Sequence, residues 1–150
     1  MAFHEVKGDL FTAPAGYVIG HGVNMKGFMG SGIAKLFKER YLDMFIAYRD
    51  KCHGNNGYYR PDLGDVFMWQ EPDGRRIANI FSQDQMGPNA EFQAIFNGVY
   101  DALLFTGHGN SLAIPRIGCG IGGQDWEKVK PMLEALANYW DDRDLYIYSI

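Results

Sequence analysis

Short apolar runs alternate along this chain with segments whose apolar residues recur three and four positions apart, a pattern of strands interleaved with helices. Phe3–Lys7 and Tyr17–His21 read as the first two strands. Ser31 is placed to N-cap a helix carrying Ile33, Leu36, Phe37 and Tyr41 on one face. A second helix is expected over Asp43–Lys51, ending at the breaker run His53-Gly54-Asn55-Asn56-Gly57. Asp65–Gln70 and Arg76–Phe81 form a strand pair around the turn Glu71-Pro72-Asp73-Gly74. Glu91–Phe105 is helical, with Ile95, Val99, Ala102 and Leu103 together, and Ser111–Pro115 is a short buried strand. Trp126–Trp140 reads as the last helix, with Pro131 expected to bend it or to mark its true first turn. Asp144–Ser149 alternates as a closing strand. Such an order predicts one layered α/β domain, residues 1–150, around a largely parallel or mixed sheet.

Composition changes this picture little. With 150 residues and 47% hydrophobic content the chain can bury a real core. No apolar run approaches the roughly 18 residues of a membrane span, and the first residues lack a secretory pattern, so a cytoplasmic location is expected. Cys52 and Cys119 lie far apart with no metal-type spacing, so neither a disulfide framework nor a metal site is expected. A net charge of −4 without a basic cluster argues against broad nucleic-acid binding, though not against a small anion held by main-chain amides.

Glycine placement carries the candidate chemistry. Five of the 19 glycines lie between Gly20 and Gly32, and four between Gly118 and Gly123. Each cluster follows a predicted strand and precedes a predicted helix, where an open α/β sheet binds ligands. Two such loops at one sheet edge can clamp a diphosphate through N–H groups, whereas a tight turn needs only one or two glycines. Gly118 to Gly123 also fits G-x-G-x-x-G, but too near the chain end for a two-halved dinucleotide fold, and neither cluster continues into a Walker lysine.

Three ordered blocks resemble the macrodomain family. They are Val6-Lys7-Gly8-Asp9-Leu10-Phe11, then Asn24 with Met29-Gly30-Ser31-Gly32-Ile33-Ala34, then Ile114 through Trp126. The similarity is greatest to the branch of ADP-ribose 1″-phosphate phosphatases and of hydrolases that remove ADP-ribose from protein carboxylates or DNA bases. It implies a three-layer α/β/α fold with a central mixed sheet, and ADP-ribose or ADP-ribose 1″-phosphate as ligand, free or on a modified macromolecule, with no cofactor. It further implies that Asp9, flanked by Gly8 and Leu10, accepts from the adenine amino group, with Ile150 packing beside the base. Gly30, Ser31, Gly32, Ile33 and Ala34 would form one phosphate loop, and Ile117, Gly118, Cys119, Gly120, Ile121 and Gly122 the other. Cys119 would contribute its backbone, since nothing beside it looks like an activating base.

The resemblance also frames the catalytic expectation. The hydrolases of this branch carry a lysine after the strand equivalent to Arg76–Phe81, able to attack the distal ribose C1″, and this chain reads Ser82-Gln83-Asp84-Gln85-Met86-Gly87 there. The protein-deconjugating relatives also carry an acid where Gly122 stands. His21-Gly22-Val23-Asn24 instead resembles the phosphatase side of the branch. His21 is therefore the expected proton-transfer group or nucleophile, with Asn24 fixing the distal ribose and Asp84 orienting a water or His21. The expected activity is release of phosphate from ADP-ribose 1″-phosphate. Hydrolysis of ADP-ribosylated macromolecules without a lysine adduct and non-catalytic ADP-ribose binding are the alternatives. His4, His53 and His108 carry no expected function, and Asp125 with Trp126 is read as a helix cap and its core anchor.

Overall fold

The computed structural model describes residues 2–150. Its strands are β1 (Phe3–Lys7), β2 (Val18–Asn24), β3 (Val66–Gln70), β4 (Arg76–Gln83), β5 (Ser111–Ile114) and β6 (Asp144–Ser149). They form one sheet in the order β1-β6-β5-β2-β4-β3. All pairs are parallel except β3 with β4, the antiparallel hairpin expected from its turn. The helices are α1 (Gly32–Arg40), α2 (Leu42–His53), α3 (Phe92–Thr106) and α4 (Trp126–Tyr139).

Strand parity decides which face each side chain joins. Val18 on β2 and Ala78 and Ile80 on β4 pack with the apolar residues of α3 and α4. Ile19 and Val23, with Ile77 and Phe81, pack with Phe37 of α1 and with Met44, Phe45 and Tyr48 of α2. The result is a three-layer α/β/α arrangement with a central mixed sheet. Helix α3 comes very close to β4 at Gly98, where a β-carbon would run into Ile80. Among the described residues no helix is long and apolar enough to cross a membrane.

Two local expectations are corrected. Strand β2 runs past His21 to Asn24, because Val23 keeps the inward apolar alternation and the strand pairs with β4 as far as Gln83. Helix α4 begins at Trp126 with Pro131 inside it, so Pro131 does not mark the first turn. Asp125 sets that start, its Oδ1 accepting from the Glu127 N–H at 3.0 Å.

Candidate functional site

Five parallel strands deliver their carboxyl ends to one edge of the sheet, and a cleft of about 580 Å³ opens there. Its lining comes from the residues after β1 (Gly8–Phe11), the ends of β2 and β4, the loop leading into α1, the loop after β5 and the end of β6. Every residue expected to contact ligand lies on this cleft: Gly8, Asp9, Leu10, Asn24, Gly30 through Ala34, Ile117 through Gly122, and Ile150. Segments separated by more than a hundred residues thus meet because their strands are parallel and nearly adjacent.

Two loops face each other across the middle of the cleft. On one side α1 begins at Gly32, and Gly32, Ile33 and Ala34 have first-turn N–H groups without a protein acceptor among the described residues. The N-cap position is Ser31, as expected, but its hydroxyl makes no capping bond. On the other side Gly120, Ile121 and Gly122 likewise present N–H groups with no protein acceptor among the described residues. Unpaired amides at a helix start and in a tight loop make an anion cradle. The glycines of the second loop divide the work. Gly118 has φ +73°, and a β-carbon there would sit 2.5 Å from Ile95 Cδ1, so it is needed for packing. A β-carbon on Gly120 would meet nothing within 4 Å, so its smallness serves the open cleft.

The sheet's β1 end carries Asp9. Its Oδ1 accepts from the Phe11 N–H at 3.0 Å and so caps the short turn Leu10–Thr12. The cap fixes the carboxylate at the cleft wall, with Oδ2 still available as an acceptor. Ile150 is exposed at the mouth beside it. Exposed Phe28, Leu36, Met86 and Ile121 also line the cleft and give it an apolar rim. The lining contains one cation, Arg116, whose guanidinium lies over the Trp126 ring at 5.2 Å.

Asn24 reaches the cleft at the opposite end, and its side chain is already engaged. Oδ1 accepts from the Lys26 N–H at 2.9 Å and from the Tyr48 hydroxyl at 3.1 Å, while Nδ2 donates to the Phe28 carbonyl at 2.8 Å. It therefore ties down the loop that leads into α1. Burial pushes the Cys119 thiol up to about 11, with Asp125 adding to the shift, so it stays protonated at neutral pH.

The structure does not bring His21 or Asp84 to the cleft. His21 is fully buried on the α1–α2 face of the sheet, stacked on Phe37 with ring centroids 3.8 Å apart. Its Nε2 lies 2.8 Å from Asn79 Oδ1, and Asn79 donates its own amide to the Phe67 carbonyl, so His21 is the donor. Burial lowers its pKa to about 4 against the pull of the Asn79 bond, leaving a neutral ring. The cause is parity: three residues before the strand end, His21 shares the face of Ile19 and Val23 rather than the strand's open end. Asp84 is half-exposed and pairs with Lys26 at 3.3 Å, outside the lining. Neither residue lines the cleft, so the geometry lends the expected proton-transfer role of His21 and Asp84 no support.

Among the lining residues that sequence reasoning did not name as ligand contacts are Gly22, Phe28, Leu36, Ser82, Gln83 and Met86. The strand signal at β4 gave out at Phe81, two residues before the strand ends.

A sheet of this order, with two loops of unpaired amides over the ends of its parallel strands, defines a class of layered α/β domain with an anion-accepting cleft at the strand ends. Comparison with known proteins makes that class specific. A DNA ADP-ribosyl glycohydrolase of Mycobacterium tuberculosis is 32% identical over 146 residues, covering 94% of this chain and 40% of that protein. An ADP-ribose 1″-phosphate phosphatase of Lodderomyces elongisporus is 29% identical over 167 residues, covering 100% of this chain and 99% of that protein. The solved macrodomain of Mycobacterium tuberculosis DarG superimposes with a TM-score of 0.84 at 30% identity, covering 99% of this chain and 97% of that one. No protein-family profile matches the chain. The chain belongs to the macrodomain family. It spans about 40% of the length of the mycobacterial glycohydrolase it matches.

Proposed function

We propose that the cleft binds ADP-ribose, free or as the terminal group of a larger molecule. The observation that carries this reading is the pair of facing amide cradles with a capped carboxylate at one end. The cradles suit a diphosphate without any basic side chain, and Asp9 Oδ2 suits an exocyclic amino group such as that of adenine. A carboxylate there disfavours guanine, which presents a carbonyl acceptor at the equivalent position. The cleft volume of about 580 Å³ lies within the range of small-molecule sites. Similarity to a glycohydrolase and to a phosphatase, both named for ADP-ribosyl substrates, supports the same ligand.

Release of phosphate from ADP-ribose 1″-phosphate is the chemistry this reading favours, because the phosphatase relative matches along nearly its whole length. Removal of ADP-ribose from a modified macromolecule is the second reading, supported by the mycobacterial relative. At the far end from Asp9 the lining offers Asn24, Ser82 and Gln83, without an amine, imidazole or carboxylate. In either reaction the nucleophile is then water rather than a side chain. Calorimetry with ADP-ribose and GDP-ribose tests the binding, with micromolar affinity expected for the first and much weaker affinity for the second. Equal affinities would refute the role of Asp9. Single-turnover phosphate release from ADP-ribose 1″-phosphate tests the chemistry, and no release would leave a binding domain.

A further inference from the structure

The net charge of −4 conceals an uneven distribution. Residues 26–60 carry seven Lys and Arg against three Asp and Glu, while the rest of the chain carries seven against fifteen. No two of those seven cations are adjacent in sequence, so no basic run marks them. Charge asymmetry of this kind is the footprint of a polyanionic partner when the fold gathers it on one face.

The fold does gather it, on the α1–α2 layer. Lys38 Nζ of α1 lies 4.5 Å, and Arg49 Cζ of α2 5.6 Å, from the centroid of the same buried ring, Phe45. Arg49 and His53, one turn apart on α2, both pack against Gly27. A β-carbon there would lie 3.3 Å from Arg49 Cγ and 3.2 Å from His53 Nε2, and that nitrogen is also 3.2 Å from the Lys26 carbonyl. At the end of α2 a β-carbon on Gly54 would lie 3.3 Å from Arg60 Cγ. A line of cations thus runs from Lys38 through Arg49 and Lys26 to Arg60. Lys26 pairs with Asp84 at 3.3 Å, but among the described residues Lys38, Arg49 and Arg60 have no carboxylate within 4 Å. Like charges held together without counter-ions repel, and an anionic chain laid along them relieves that cost. Exposed rings interrupt the line. Tyr59, beside Arg60, is 87% exposed, and Phe28, two residues after Lys26, is exposed at the mouth of the cleft.

We propose that the α1–α2 face binds single-stranded nucleic acid, with phosphates on Lys38, Arg49 and Arg60 and a base stacked on Tyr59. Cations alternating with exposed rings match a strand that alternates phosphates with planar bases, whereas an acidic peptide would leave the rings idle. The strand passes the cleft at Phe28, the end away from Asp9. Binding of the strand is independent of the ADP-ribose reading. That the strand is the larger molecule bearing the ADP-ribose group rests on that reading.

The test uses a labelled oligothymidylate of about 15 nucleotides, followed by fluorescence anisotropy. Three phosphate contacts on a single strand predict that affinity falls about 20-fold between roughly 50 and 200 mM salt. Lys38→Gln with Arg49→Gln removes two of the three, and the fall is expected to shrink to about threefold. Lys128→Gln with Lys130→Gln removes the same charge from α4, on the other side of the sheet, and is expected to behave as wild type. Tyr59→Ala is expected to weaken binding about fivefold or more through lost stacking. No binding at low salt, an unaltered salt dependence in the first pair, an equal change in the α4 pair, or no loss in Tyr59→Ala would each overturn the proposal. Displacement of the strand by polyglutamate at equal charge would overturn it in favour of an acidic protein. Calorimetry with ADP-ribose on the same proteins keeps the two readings apart. A wild type that binds the strand but not ADP-ribose refutes the cleft ligand and supports this face, and the reverse result refutes this face alone.

Discussion

The burial of His21 makes a quantitative claim about stability and pH. In the unfolded chain its imidazole titrates near 6.5, whereas in the folded chain burial holds it at about 4. The unfolded state therefore binds the proton more readily. Stability contributed by keeping the ring neutral is fully present above about pH 6.5 and declines as pH falls toward 4. The whole gap is worth on the order of 3 kcal/mol, most of it lost by pH 4.5. His21→Gln removes the titration and keeps a polar group opposite Asn79. Urea unfolding of both proteins at pH 7 and 4.5 isolates the effect, because the carboxylates common to both cancel. Wild type is expected to lose on the order of 2–3 kcal/mol more than the variant over that interval. Equal losses would refute the buried neutral histidine. The same variant is expected to keep ADP-ribose affinity and phosphate release within a few-fold, since a lost general acid or base typically costs about a hundredfold or more.

Other expectations follow from the cleft walls. Asp9→Ala should weaken ADP-ribose about ten- to a hundredfold by calorimetry, the worth of a hydrogen bond to a charged acceptor, and unchanged affinity would remove Asp9 as the adenine contact. Gly120→Val should abolish binding with the melting temperature preserved, because its side chain enters open space, whereas Gly118→Val should destabilise the fold against Ile95. Thermal melts beside calorimetry separate the two, and comparable unfolding of both would make the second loop a packing element only. Asp125→Ala should cost about 1 kcal/mol through the lost cap of α4 and leave ligand affinity unchanged.

Much of this could be seen in the sequence because glycine and strand–helix alternation are local signals. The clusters at Gly20–Gly32 and Gly118–Gly123 pointed to the two loops that line the cleft, and the block around Asp9 put it after the first strand, where it lines the cleft as well. His21 was misplaced for a reason of one strand's length. Ending β2 at His21 put the ring at the open edge, while extending it to Asn24 puts the ring on the covered face, in step with Ile19 and Val23. Ser82 was invisible for a different reason. A serine after an apolar run looks like the start of a loop, whereas β4 runs on through it to Gln83.

The division of the cleft into main-chain and side-chain regions has an evolutionary consequence. Most substitutions in the two cradles leave the amides in place, provided the backbone angles survive, so ligand recognition can persist while sequences drift. Superposition with a TM-score of 0.84 at only 30% identity fits such tolerance. The β2–β4 end is different, because its properties belong to Asn24, Ser82 and Gln83 individually. On the proposed reading, exchanging one of them would change that end of the site without disturbing the amides of the two loops. A lineage built this way can trade one reaction for another, or for none, in a handful of mutational steps.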